Sequence, residues 1–256
     1  MQRWIKPALL TLVAGALLSG CHFVTLPDPN AELPQRPPEV AVMQRNVADA
    51  HRMLDRRVQR GQLTPEEKER RIIELCRQFA EVIDPKRVKP GEEWMAADIL
   101  RQAGDLKGAQ AMLEQGLKAP VNLDRKTNDT LQLARVLVMQ GKVKEGIALA
   151  RTTFDVPPRE KGPILMAVLY EIVPAGRGKG QDRELAKLTE DAIDQHLQVL
   201  VDPNLDNGKA FLAAMPRHME AAWETVIRLY RDADDEAGMR RAILARQRQD
   251  RTVTTY

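Results

Sequence analysis

From residue 39 onward apolar residues return at every third or fourth position, and no stretch sustains the strict alternation of a half-buried strand. That period predicts a chain of helices. Val40, Met43, Val47, Ala50 and Leu54 form the stripe of a first long helix ending near Arg60-Gly61. The next helix is predicted to begin at Thr64-Pro65-Glu66-Glu67, where a hydroxyl can cap the free amides, proline suits the first turn and acids suit the positive helix end. Its stripe is Ile72, Leu75, Cys76, Phe79 and Ile83. Farther on, Ile164, Leu165, Val168, Leu169 and Ile172 mark one helix, and Leu185, Leu188, Ala192, Ile193, Leu197 and Leu200 another. After a break over 202–208 a short helix is predicted at 209–215. A helix with Met219, Ala222, Trp223, Val226 and Tyr230 then pairs with the terminal 237–249 across Asp232-Ala233-Asp234-Asp235-Glu236.

Segments 92–120 and 129–157 align at an offset of 37 residues, each reading as helix, tight turn, helix, proline stop. Gly104 and Gly141 supply the permissive backbone that ends the first helix of each copy. Ala97 and Ala109, then Ala134 and Gly146, keep side chains small where two helices meet. Leu106, Leu113 and Leu117, matched by Val143, Ala150 and Phe154, complete a pattern that resembles the tetratricopeptide repeat. It departs from that family in its longer spacing, in the displacement of the early aromatic to Trp94, and in Gly116 and Thr153 where alanine is usual.

The resemblance implies an all-α fold, an α-solenoid of antiparallel helical hairpins wound as a superhelix. Residues 39–90 would form an N-terminal hairpin, 91–158 the two repeats, and 159–256 degenerate hairpins with a C-terminal cap. It also implies that the first helix of each pair lines a concave groove. Trp94, Asp98 and Arg101 in one copy and Asn128, Leu131, Arg135 and Val138 in the next are the expected partner-binding residues. The aromatic and aliphatic members would offer contact area, and Arg101 and Arg135 could fork onto the carboxylate of an extended or helical segment.

The beginning of the chain has a different character. Arg3 and Lys6 precede an uncharged run over 7–18, too short to span about 30 Å of hydrocarbon but suited to a secretory leader. Leu18-Ser19-Gly20-Cys21 follows and resembles the lipobox of bacterial lipoproteins. That resemblance implies a signal peptide over 1–20, cleavage before Cys21 and acylation, palmitate among the chains, of the Cys21 sulfur. Two or three chains at about 0.8 kcal/mol per buried methylene hold a protein on a bilayer. His22 is not the aspartate associated with inner-membrane retention, which points to the outer membrane, facing the periplasm. Residues 21–38 then form a tether rich in proline, extended in the polyproline manner.

Composition narrows the chemistry. The only serine is Ser19, inside the leader, so a serine nucleophile is excluded from the mature chain. Lys plus Arg total 39 against 36 Asp plus Glu, a balance that gives no reason to expect a nucleic-acid partner. His22, His51, His196 and His218 are scattered without the spacing of a metal motif, and no cofactor is expected. Cys76 lies on an apolar stripe and reads as a small core residue. The glycines and Lys179 of segment 174–181 break the phosphate-loop spacings and read as a connector. Arg240, Arg241, Arg246 and Arg248 suit a helix C-terminus and offer an anionic contact.

The expected function is therefore that of a lipid-anchored, non-catalytic scaffold of the bacterial cell envelope that presents a helical-repeat groove to another protein during assembly, secretion or envelope maintenance. The alternative is an enzyme or accessory factor acting on cell-wall glycan, since superhelical bodies also occur in lytic transglycosylases; that chemistry requires two carboxylates across a cleft.

Overall fold

The computed structural model describes residues 38–253, with side chains described through residue 249. The leader, Cys21 and the tether up to residue 37 lie outside the described residues. Within them the chain is all-helical, without strands, and none of its helices is long and apolar enough to cross a membrane.

Helices α1 (Val40–Gln59) and α2 (Pro65–Ala80) bury the predicted stripes, and Leu54 and Cys76 are completely enclosed. Thr64 accepts from the Glu67 amide at 3.1 Å while the Glu67 carboxylate accepts from the Thr64 amide at 3.0 Å, a reciprocal cap that sets the start of α2. Ile83 falls beyond the end of α2 and is only partly buried. Next come α3 (Glu93–Ala103), α4 (Leu106–Lys118), α5 (Leu123–Met139) and α6 (Val143–Arg151), the two aligned hairpins. Gly104 and Gly141 end α3 and α5 at φ +92° and +87°, the left-handed conformation that the tight turns require. Helix α5 starts six residues before the aligned segment, because Asn122 caps it at the Arg125 amide, 2.7 Å away.

Beyond Pro157 the expected single helix is interrupted. Helix α7 (Gly162–Ala167) passes through a π-helical turn, Val168–Ile172, into α8 (Val173–Gly176). Pro174 has no amide hydrogen and its ring would crowd the carbonyl four residues back; the wider turn accommodates it, with the Val173 amide donating to Val168 O, five residues earlier. The connector is accordingly shorter than expected. Helices α9 (Asp182–Leu197), α10 (Asp206–Asp232) and α11 (Glu236–Val253) complete the chain. Leu197 and Leu200, expected in the core, are exposed, and α10 runs continuously through Pro216 rather than breaking into two helices.

Each helix packs mainly against its neighbours in sequence: α1 on α2, α2 on α3, α3 on α4, α4 on α5, α5 on α6, α9 on α10 and α10 on α11. Three apolar clusters follow. One joins α1 and α2, a second joins α3 and α4 to one face of α5, and the largest joins the other face of α5 to every later helix. Leu133, Val136 and Leu137 of α5 serve the second cluster, and Leu131, Ala134 and Val138 the third.

Gly146 shows how closely α6 approaches α5. A Cβ at this position would lie 2.5 Å from Val138 Cγ2 and 2.6 Å from the Ala134 carbonyl oxygen, a backbone atom that cannot step aside. Gly146→Ala is expected to lower stability by about 1 to 3 kcal/mol despite alanine's better helix propensity. Gly162→Ala, where a Cβ would meet nothing within 4 Å, should leave it within about 0.5 kcal/mol. Urea unfolding of the two variants checks the difference.

Candidate functional site

Between α3 and α5 lies a cavity of about 540 Å³. This is within the size range of ligand pockets. From α3 come Trp94, Asp98 and Arg101 at intervals of four and three; from α5 come Arg125, Asn128, Asp129, Gln132 and Arg135. Glu171, in the π turn, closes one side, and Leu113 of α4 contributes apolar surface. Trp94, Asp98, Arg101, Asn128 and Arg135 were all expected at a groove and meet in this one cavity.

Leu131 and Val138 do not. They are 1% and 0% exposed and belong to the large apolar cluster. The expected stripe on α5 was displaced around the helix by part of a turn: α6 and the α7–α8 segment cover the face that carries these two residues, so their apolar surface is spent in the core.

The charges around the cavity form an ordered network. Gln44 Nε2 and Gln102 Nε2 both donate to Asp98 Oδ2, at 3.0 and 2.9 Å, while Arg101 Nη2 donates to Asp98 Oδ1. His51 Nε2 meets Gln102 Oε1 at 3.0 Å and extends the network to α1. On the other wall Gln132 Nε2 and Arg135 Nη1 donate to Glu171 Oε2 at 2.7 and 3.2 Å. The Arg125 guanidinium stacks over the Trp94 ring, 4.4 Å from its centroid, and donates to Asp129 Oδ1 at 3.5 Å.

Two donors are left over. The Nε atoms of Arg101 and Arg135 are buried and have no hydrogen-bond partner among the described residues. A buried guanidinium donor without an acceptor is costly, and such a group calls for an explanation. The two cations also act on each other: burial first, then the Arg101 charge, hold Arg135 below its ordinary pKa, and Glu171 and Asp98 pull it back up. An anion held near the two guanidinium groups would relieve that repulsion.

Cys76 and Lys179 find structural employment. Cys76 is buried, and desolvation, helped by the Asp98 charge, pushes its thiol up to about 12, so it is not a ready nucleophile. Lys179 donates to the carbonyls of Val138 and Met139 at 2.9 and 3.3 Å, capping the C-terminal end of α5. In the last helix Arg240 pairs with Glu236 at 3.2 Å and Arg246 with Glu220 at 3.4 Å. No group of three or more His, Cys, Asp or Glu side chains that could hold a metal occurs among the described residues.

Arg125, Asp129, Gln132 and Glu171 escaped the sequence reading. Arg125 and Gln132 could have been found, since 125, 128, 132 and 135 form a polar strip at helical spacing; Asp129 is buried beside that strip, and the position of Glu171 depends on the π turn. No protein-family model, no curated protein and no solved structure matches this chain.

The buried Asp129 gives the site a pH signature. Desolvation pushes its carboxyl up to about 6 against the pull of Arg125, with Glu93 adding to the rise. The folded chain therefore holds this proton more tightly than the unfolded chain, whose aspartates titrate near pH 4. The cost of the ionised form is present in full above pH 6 and disappears as the pH falls toward about 4. Urea midpoints measured between pH 7 and pH 4.5 should therefore rise in the parent relative to Asp129→Asn as the pH is lowered.

Proposed function

We propose that this chain is a lipid-anchored, non-catalytic scaffold of the bacterial cell envelope, with a TPR-like solenoid of helical hairpins that uses the cavity between α3 and α5 to capture a segment of another protein. Acylated Cys21 fixes it to the outer membrane, and the proline-rich tether carries the helical body into the periplasm. The bound segment is extended and presents a carboxylate, either an acidic side chain or a chain terminus. The single observation that carries this reading is the pair of buried, unpartnered Nε donors of Arg101 and Arg135 beside the Trp94–Arg125 stack. Arginine and tryptophan are the residues that most often dominate binding energy once desolvated. The carboxylates of the network hold the guanidinium groups in place before the ligand arrives, which lowers the cost of ordering them on binding.

The anchor and the cavity are tested separately. Cys21→Ala is expected to abolish labelling of the protein by a fatty-acid probe in growing cells; label retained on that variant refutes the anchor. For the cavity, short peptides with acidic side chains and either a free or an amidated C-terminus are titrated against the parent and Arg135→Ala. The parent is expected to bind a carboxylate-bearing peptide at least tenfold more tightly than Arg135→Ala does. Equal affinities in the two proteins, with the variant's thermal unfolding unchanged, overturn the reading.

A further inference from the structure

The contact between α9 and α10 holds a second cluster of polar atoms, remote from the cavity in the contacts it makes. His196, near the end of α9, is completely buried, and neither of its ring nitrogens has a hydrogen-bond partner among the described residues. His218 of α10 leaves its buried Nδ1 unpartnered as well. The two rings face each other edge-on, 5.8 Å between centroids, and Phe211 lies 4.9 Å from the His196 ring. A neutral imidazole carries one donor and one acceptor, so a fully buried ring with both idle is an expensive core residue.

The helical register brings in a third group. Phe211 and His218 both touch the His196 ring, and they stand seven residues apart on α10. Met215, four residues after one and three before the other, falls on the same face between them, and its side chain is partly buried against the large core cluster. We propose that His196, His218 and Met215 form a binding site for a cuprous ion between α9 and α10.

The donor set and its surroundings select that ion. Two imidazoles bound to one metal at about 2.0 Å place their ring centroids about 5 to 6 Å apart, which matches the pair as it stands. No carboxylate or thiolate joins the pair to make a larger ligand group among the described residues. A hard or divalent cation would therefore lack both the oxygen ligands and the negative charge that it needs. Imidazole and thioether suit monovalent copper, whose single charge is the least costly to bury.

The test uses the detergent-solubilised full chain under reducing conditions, with cuprous ion supplied from a chromophoric chelator that competes for it. The parent is compared with His218→Phe, His218→Gln and Met215→Leu; Cys21 and Cys76 are present in all four proteins, so copper held by thiols cancels. The parent is expected to withdraw one more equivalent of copper than either His218 variant, and Met215→Leu to hold that equivalent at least tenfold more weakly. Copper should also raise the thermal-unfolding midpoint of the parent beyond that of the variants. Equal uptake by the parent and by whichever His218 variant folds, with equal shifts in unfolding, overturns the proposal.

Discussion

The burial of α5 on two sides is the constraint on which the rest depends. Leu133, Val136 and Leu137 face the preceding hairpin, while Leu131, Ala134 and Val138 face everything that follows. Each Val or Leu so enclosed contributes about 1.5 to 3 kcal/mol relative to an exposed position. With 3.6 residues per turn, a helix covered on two sides keeps only a narrow strip open. On α5 that strip is Arg125, Asn128, Gln132 and Arg135, with the buried Asp129 beside it, and it forms one wall of the cavity. The same two-sided contact forces the close approach at Gly146 and recruits Lys179 to the carbonyls at the end of the helix. Core and cavity are therefore two consequences of one packing choice.

A second dependence runs through Pro174. The π turn that accommodates it widens the helix by a residue over Val168–Ile172, and Glu171 lies within that stretch. Glu171 receives Gln132 and Arg135 from α5, so a local backbone adjustment supplies one wall of the charge network. Partly buried ion pairs of this kind add little to net stability, because desolvation offsets most of the attraction. Their effect here is positional: each guanidinium is held by one terminal nitrogen while its Nε stays unused.

Where local chemistry decided the structure, the sequence was legible. The stripe from Val40 to Leu54, the Thr64 cap and the turns at Gly104 and Gly141 all follow from side-chain spacing, a reciprocal hydrogen bond and backbone freedom. Non-local packing decided the rest. Leu131 and Val138 could be assigned to groove or core only by knowing that α6 and the α7–α8 segment both lie against α5. The continuity of α10 through Pro216 and the exposure of Leu197 and Leu200 likewise depend on which neighbours arrive. Of the cavity, the α3 residues were readable because α3 is short and has one exposed strip. The α5 residues were half readable because that helix has two apolar faces, and a stripe chosen a fraction of a turn away still looks amphipathic.

The state of the carboxylates bears on what the cavity is built to do. Asp98 accepts from three side chains and Glu171 from two, so both are fixed as acceptors of hydrogen bonds. Asp129 is raised to about 6 and could carry a proton, but it is paired with Arg125. Glycoside cleavage needs one carboxyl to deliver a proton and a second to meet the opposite face of the sugar, each free to turn toward the substrate. Asp98 and Glu171 would have to abandon their partners to take part, leaving buried guanidinium and amide donors unpaired. Recognition of an anion asks for no such rearrangement. The acids hold the arginines, and the Nε donors of Arg101 and Arg135 stay unpartnered among the described residues. The carboxylates of Asp98 and Glu171 are thus spent on positioning side chains, which is the arrangement that the proposed binding role requires.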